Sequence, residues 1–231
     1  MKRYSAIIML AITMFMVAGD VVAQDEDQYF RTPHRFHIFV NGGLGIPANP
    51  VDFKDYWNTT LPFSIGAGFP VPNVSWLEFD GVLTRAAFST NHVKAKQRLN
   101  YLGVESVEGG SIKVLMYYGV ARFLALPNLR TNPFLEIGVG GFSTSHTNLI
   151  IEGAIDNSME DVSGIHTSIA GGLRYALNEG WSAYFKYQYV NNINDEFKPG
   201  DLILPIGADP ASVEGGNMQY GALLVGLIIR L

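Results

Sequence analysis

Along most of this chain apolar residues recur at every second position, the period of a strand whose two faces meet different surroundings. In RFHIFVNGGLGI, Phe36, Ile38, Val40 and Leu44 share one face while Arg35, His37, Asn41 and Gly43 share the other, with Phe39 the exception. LPFSIGAGF sets Leu61, Phe63, Ile65, Ala67 and Phe69 against Ser64, Gly66 and Gly68, and LEFDGVL sets Leu77, Phe79 and Leu83 against Glu78 and Asp80. In FLEIGVG, Leu135, Ile137 and Val139 oppose Glu136 and Gly138; in GIHTSIAGGLRYAL, Ile165, Ile169, Leu173 and Tyr175 oppose His166, Ser168 and Arg174. WSAYFKYQYV sets Trp181, Ala183, Phe185, Tyr187 and Tyr189 against Ser182, Tyr184, Lys186 and Gln188. The closing run, YGALLVGLIIRL, sets Leu223, Val225, Leu227, Ile229 and Leu231 against Ala222, Gly226 and Arg230. An eighth segment, SIKVLMYYGVARFLAL, is fourth in order and reads as a strand by its branched and aromatic content. Its facing stays open over residues 111–125, because Ile112, Val114, Met116 and Tyr118 compete with Leu115, Tyr117 and Phe123 for the apolar side.

The connections alternate in length. Pro70-Val71-Pro72-Asn73, the run from Pro127 to Pro133, and Asn178-Glu179-Gly180 are short and rich in turn formers. Residues 47–60, 89–110, 144–162 and 191–216 are long and mostly polar. Short turns on one rim and long loops on the other predict a transmembrane barrel with periplasmic turns and extracellular loops. The terminal run is too short for a membrane helix, which needs about 20 apolar residues, but fits the roughly 9–11 of a tilted transmembrane strand. A soluble barrel around a ligand has the same period. The membrane form is favoured by the Gly, Ser and charge of the second face, by aromatics near strand ends (Phe69, Trp76, Phe134, Trp181, Tyr187, Tyr189) and by the apolar last strand, which must zip to the first.

The first 23 residues stand apart: Lys2 and Arg3 precede the apolar AIIMLAITMFMVAG, and Val21-Val22-Ala23 is a small-residue site, the layout of a cleaved secretory signal. Residues 24–33 read as a short periplasmic lead-in and 34–231 as the barrel. Removing the signal takes Lys2, Arg3 and Asp20 with it and leaves 14 basic and 20 acidic residues, a formal net charge of −6. Such a balance argues against nucleic acid as a partner. There is no cysteine, which excludes disulfides, thiol catalysis and thiolate metal sites.

The NGGLG and EIGVGG strands, the turn ALNEGW before YFKYQYV, and the terminal GALLVGLIIRL resemble the small outer-membrane proteins of the OmpA and OmpX type over residues 34–231. The resemblance implies an all-β, eight-stranded, antiparallel up-and-down transmembrane barrel in the bacterial outer membrane, without the peptidoglycan-binding domain of full-length OmpA and without a cofactor. It also implies outer-membrane lipids, lipopolysaccharide and the barrel-assembly machinery as partners. This family ends on an aromatic residue read by that machinery, where the present chain has Leu231.

Parity aims Glu78, Asp80, Glu136, His166, Arg174, Lys186 and Arg230 into the lumen. In so narrow a space they predict a paired polar core, or a gated pore in which Glu136 exchanges partners with Arg174. His166-Thr167-Ser168 with Glu179 superficially resembles the His-x-Ser and downstream Glu of lipid A deacylases, in which a carboxylate-oriented histidine would activate a serine. The predicted role is nevertheless non-catalytic: a structural or surface-interaction protein acting through its loops. Asp156, Glu160 and Asp161, and Asp195, Glu196 and Asp201, are acidic loop clusters without calcium-loop spacing, so no metal is expected. The first loop gathers Asp52, Lys54 and Asp55 with Phe53, Tyr56 and Trp57, aromatics suited to an unidentified external ligand or to resting on the barrel rim.

Overall fold

The computed structural model describes residues 36–99, 104–151, 155–157, 161–194, 197–198 and 216–231. The expected signal and lead-in lie outside these residues, as do Arg35, Glu160, Asp195, Glu196 and Asp201. In chain order the elements are β1 (His37–Asn49), α1 (Val51–Tyr56), β2 (Phe63–Pro70), β3 (Leu77–Ser89), α2 (His92–Leu99), β4 (Val107–Leu124) and β5 (Thr131–Ile151). There follow β6 (Ile155–Asn157), β7 (Ser163–Ala176), β8 (Trp181–Ile193) and β9 (Met218–Arg230).

Each strand pairs antiparallel with its successor, except that β5 passes β6 to pair with β7; β9 pairs with both β8 and β1. Across that last seam Ile38 faces Ile229, Val40 faces Leu227 and Leu44 faces Leu223. Eight strands thus close into an antiparallel barrel, and the terminal run is its closing stave. β6 is a short arm on the far end of β5. Closure leaves no free edge in the wall, the condition for strands to cross hydrocarbon, where no water can satisfy a backbone amide.

The predicted faces hold. Val139 is 62 % exposed on the outside while Glu136, three residues before it in β5, is 3 % exposed inside. In β4 the outward set is Leu115, Tyr117 and Phe123, and Ile112, Val114, Met116 and Tyr118 point inward with Val120 and Arg122. Trp76, Phe69 and Trp181 lie exposed near the short turns, Trp76 stacked on Phe123 at 6.1 Å, and Tyr187 is exposed further along β8. Tyr189 is half-buried and donates to Gln219 Oε1 at 2.7 Å. Phe134 is a correction: it is 3 % exposed and inside, because its parity is that of Glu136.

The short turns are tight. Asn73 has φ 63°, and Asn178 Oδ1 accepts the amides of Gly180 and Trp181, both at 2.9 Å. At the other end, all four stretches expected to be loop are partly strand, most of all 89–110 and 144–162. β4 starts at Val107 and β5 runs on to Ile151, pairing Val107 with Ile151 beyond the barrel wall. The extension persists because Val107, Leu149 and Ile151 bury their side chains, which loop polarity alone does not reveal.

Candidate functional site in the barrel lumen

An eight-stranded barrel encloses a space just wide enough for side chains to fill. Here it is filled in three layers. Near the short turns stands a network of ions, built from residues directly opposite one another across neighbouring strands. Glu78 of β3 faces Arg122 of β4, and Arg122 faces Glu136 of β5. Arg122 Nη1 donates to Glu78 Oε2 at 3.0 Å and its Nε to Glu136 Oε1 at 2.8 Å. Its Nη2 lies 2.8 Å from Asp80 Oδ2 as an ion pair lacking hydrogen-bond geometry. The guanidinium is also flanked by the rings of Phe39 and Phe134, with centroids at 5.7 and 5.5 Å, within cation–π range.

The opposite wall completes the set. Arg174 Nη1 donates to both oxygens of Glu78 at 2.9 and 3.1 Å, and Lys186 Nζ donates to Glu136 Oε2 at 2.6 Å. His37 Nε2 is 2.9 Å from Asp80 Oδ1. That contact crosses β2, where Gly68 stands between the two in register. A methyl group on Gly68 would run into Asp80 Oδ1 and the Phe79 carbonyl, so the missing side chain is what lets the histidine through.

All seven residues expected in the lumen are buried there, and Glu136 and Arg174, the partners of the gated-pore alternative, do not contact each other. Glu136 is held by Arg122 and Lys186, and Arg174 by Glu78. Arg174 stands opposite Asn132, four residues along β5 from Glu136. Parity gives the face of a residue and not its height. Arg230 Nη1 donates to Ser182 Oγ at 2.9 Å and has no carboxylate partner among the described residues. Arg122, the hub, was concealed in the one strand whose facing the pattern left open.

Above the ions, Thr84 donates to Ser64 at 2.7 Å and lies 3.2 Å from the Tyr118 hydroxyl. Asn41 Nδ2 donates to the Tyr184 hydroxyl at 2.8 Å. His166 packs its ring on Tyr118 at 4.3 Å, across Gly140, and its Nδ1 is 2.8 Å from Asn192 Oδ1. The resemblance to a hydrolase triad does not assemble. Glu179 is in the turn after β7, which ends at Ala176, roughly 33 Å along the strand from His166 at about 3.3 Å per residue.

The loop end is closed by an apolar cap. Phe53 of α1 is fully buried, edge-on to Phe88 at 4.8 Å and to Phe197 at 5.6 Å, and Phe88 meets Tyr220 at 5.3 Å. Trp57 and Leu99 are buried with them. Of the first-loop aromatics, therefore, Phe53 and Trp57 sit inside the rim, Tyr56 is half-buried, and none of the three is fully exposed. Asp52 pins this cap by accepting from Arg98 of α2 at 2.8 Å, with Arg98 also 4.9 Å over the Tyr56 ring. Burial works against the Arg98 charge, but its bonds to Asp52 and Tyr56 outweigh that and raise its pKa. In the third loop, Asp161 pairs with His146 Nδ1 at 2.8 Å.

No protein-family model matches the sequence, and no curated protein matches it. Solved structures do. Neisserial surface protein A is 14 % identical, with 85 % of this chain and 97 % of that one covered and a TM-score of 0.54. Ail, the attachment invasion locus protein of Yersinia pestis, is 11 % identical over 86 % of this chain and 100 % of its own, at 0.49. OprG from Pseudomonas aeruginosa is 10 % identical over 87 % and 99 %, at 0.47. The first of these carries the structural likeness, and with the closed wall it gives this chain the fold of the small eight-stranded outer-membrane β-barrels.

Proposed function

We propose that the chain is an integral protein of the bacterial outer membrane with an occluded lumen and no catalytic activity. It serves the envelope structurally or meets an external partner through its long loops. One observation supports this reading above the others: ions and apolar cap together fill the barrel from the short turns to the loops, with Arg122, Glu136, Phe53 and Phe88 all buried. A side-chain-filled eight-stranded barrel offers no open water path. The partners this reading carries are outer-membrane lipids, lipopolysaccharide, the barrel-assembly machinery and a loop ligand.

Two measurements test it. The detergent-extracted protein is expected to migrate faster on a denaturing gel before boiling than after, since closed barrels resist unfolding. In planar bilayers it is expected to give no discrete conductance steps. Steps in the wild type that change on Glu136→Gln would replace occlusion with a gated pore. Release of acyl chains from lipopolysaccharide by the purified protein would replace the non-catalytic reading with a hydrolase.

A further inference from the structure

Charge is nearly absent from the outer wall. Among the described strand side chains, the exposed Asp, Glu, Lys and Arg residues are Arg85 of β3, Lys113 of β4 and Glu108. Glu108 lies five residues beyond Lys113, roughly 16 Å further along the strand. The two cations are neighbours. Lys113 stands opposite Ala87, two residues from Arg85, a diagonal placement that sets the pair about 7 Å apart on one face. Among the described residues neither has an ion-pair or hydrogen-bond partner.

Their height on the wall is specific. On the short-turn side of the pair the surface is apolar, with Leu83, Leu115 and Tyr117 exposed. On the loop side it turns to hydroxyls: Ser89 faces Ser111, whose Oγ is 2.9 Å from Thr147 Oγ1, and Ser145 faces Lys113. Toward β4 and β5, Arg85 and Lys113 therefore stand on the line between an apolar strip and a hydroxyl-bearing one, while toward β2 the exposed Phe63 stands opposite Arg85. The pair marks that line on one side only, for the outward loop-end positions of β1, β7, β8 and β9 include Ile46, Thr167, Asn191 and Gln219 and no charge. Simple interfacial anchoring by snorkelling cations would not favour one sector of the barrel. Two unpaired cations, one a planar fork suited to two phosphate oxygens, standing above an apolar strip and below hydroxyls, complement an anionic amphiphile.

We propose that Arg85 and Lys113 form a binding site on the outer wall for the phosphorylated headgroup of a lipid in the leaflet the long loops face, its acyl chains lying along Leu83, Leu115 and Tyr117. The site rests on the membrane reading above.

The test uses the full chain folded into neutral phosphatidylcholine vesicles and titrated with diphosphorylated lipid A. Bound lipid is counted by native mass spectrometry after detergent transfer, and heat-modifiable migration reports folding on the same samples. Arg85→Gln and Lys113→Gln are each expected to weaken binding about fivefold and together about thirtyfold, from the roughly 1 kcal/mol that one cation contributes at an anionic membrane surface. Arg85→Lys combined with Lys113→Arg keeps both charges and retains binding. Lipid A stripped of its phosphates binds wild type as weakly as intact lipid A binds the double Gln variant, and an equal concentration of inorganic phosphate displaces nothing. Equal binding by wild type and the double Gln variant overturns the site, as does displacement by inorganic phosphate. A wild-type chain that shows no heat-modifiable band overturns the barrel reading instead.

Discussion

Arg122 Nε donates to Glu136 Oε1 at 2.8 Å, and the two residues stand directly opposite each other in β4 and β5. With Glu78 opposite on the other flank, one guanidinium touches three carboxylates that lie within 8 % exposure. Removing one partner from a buried ion set costs far more than the set itself contributes, because the remaining charges keep their desolvation penalty. Arg122→Ala is expected to lower folding stability by about 3–5 kcal/mol. Urea titration of the heat-modifiable band in vesicles measures it, and an unchanged midpoint would remove Arg122 from the centre of the network.

The wall and the facing of seven strands were legible because period two is imposed by the pleat itself, whatever the fold around it. Glu78, Asp80 and Glu136 could be assigned inward for that reason. Arg122 could not, since residues 111–125 carry apolar side chains on both faces: the upper inward positions Ile112, Val114 and Met116 are as greasy as the outward ones. They are greasy because they belong to the same buried apolar cluster as the cap, Ile112 opposite Phe88 and Met116 against Tyr220, and nothing in the local pattern announces a cap. One signal was available. The turn between Pro127 and Pro133 fixes the register of β4 on β5 and brings Arg122 opposite Glu136.

Gly68→Ala tests the passage between β1 and β3. An added methyl group must displace the Asp80 carboxylate from His37, and overpacking of this kind costs typically about 1–3 kcal/mol. The same urea titration should show a loss in that range. Gly81→Ala, on the outward face of β3 with only the Ala67 carbonyl near, is the matched control.

Phe53→Ala tests the cap. Truncating a fully buried phenylalanine costs about 3–5 kcal/mol, here concentrated at the loop end. Amide exchange should accelerate in α1 and α2, and trypsin should cut faster after Lys94 and Lys96. Exchange along the β5–β7 ladder is expected to stay as in the wild type. Uniform acceleration throughout the barrel would mean that the cap and the ion layer unfold as one unit.

Val225→Arg tests the assignment of faces. Val225 is 62 % exposed on the wall between Leu223 and Leu227, and an arginine near the bilayer midplane costs a transmembrane barrel about 2–4 kcal/mol. Folding yield into vesicles should fall accordingly. A chain that stays soluble without detergent and accepts the arginine freely would reverse inside and outside.

The ions of the short-turn end also constrain how such a wall can roll up. β3, β4 and β5 together contribute Glu78, Asp80, Glu136 and Arg122 to the network, a formal sum of −2. The two compensating cations, Arg174 and Lys186, arrive only with β7 and β8. A half-rolled sheet would therefore offer naked negative charge to acyl chains, an expensive state. Neutrality returns only when the far staves swing round, which favours a concerted, all-or-none closure over insertion hairpin by hairpin.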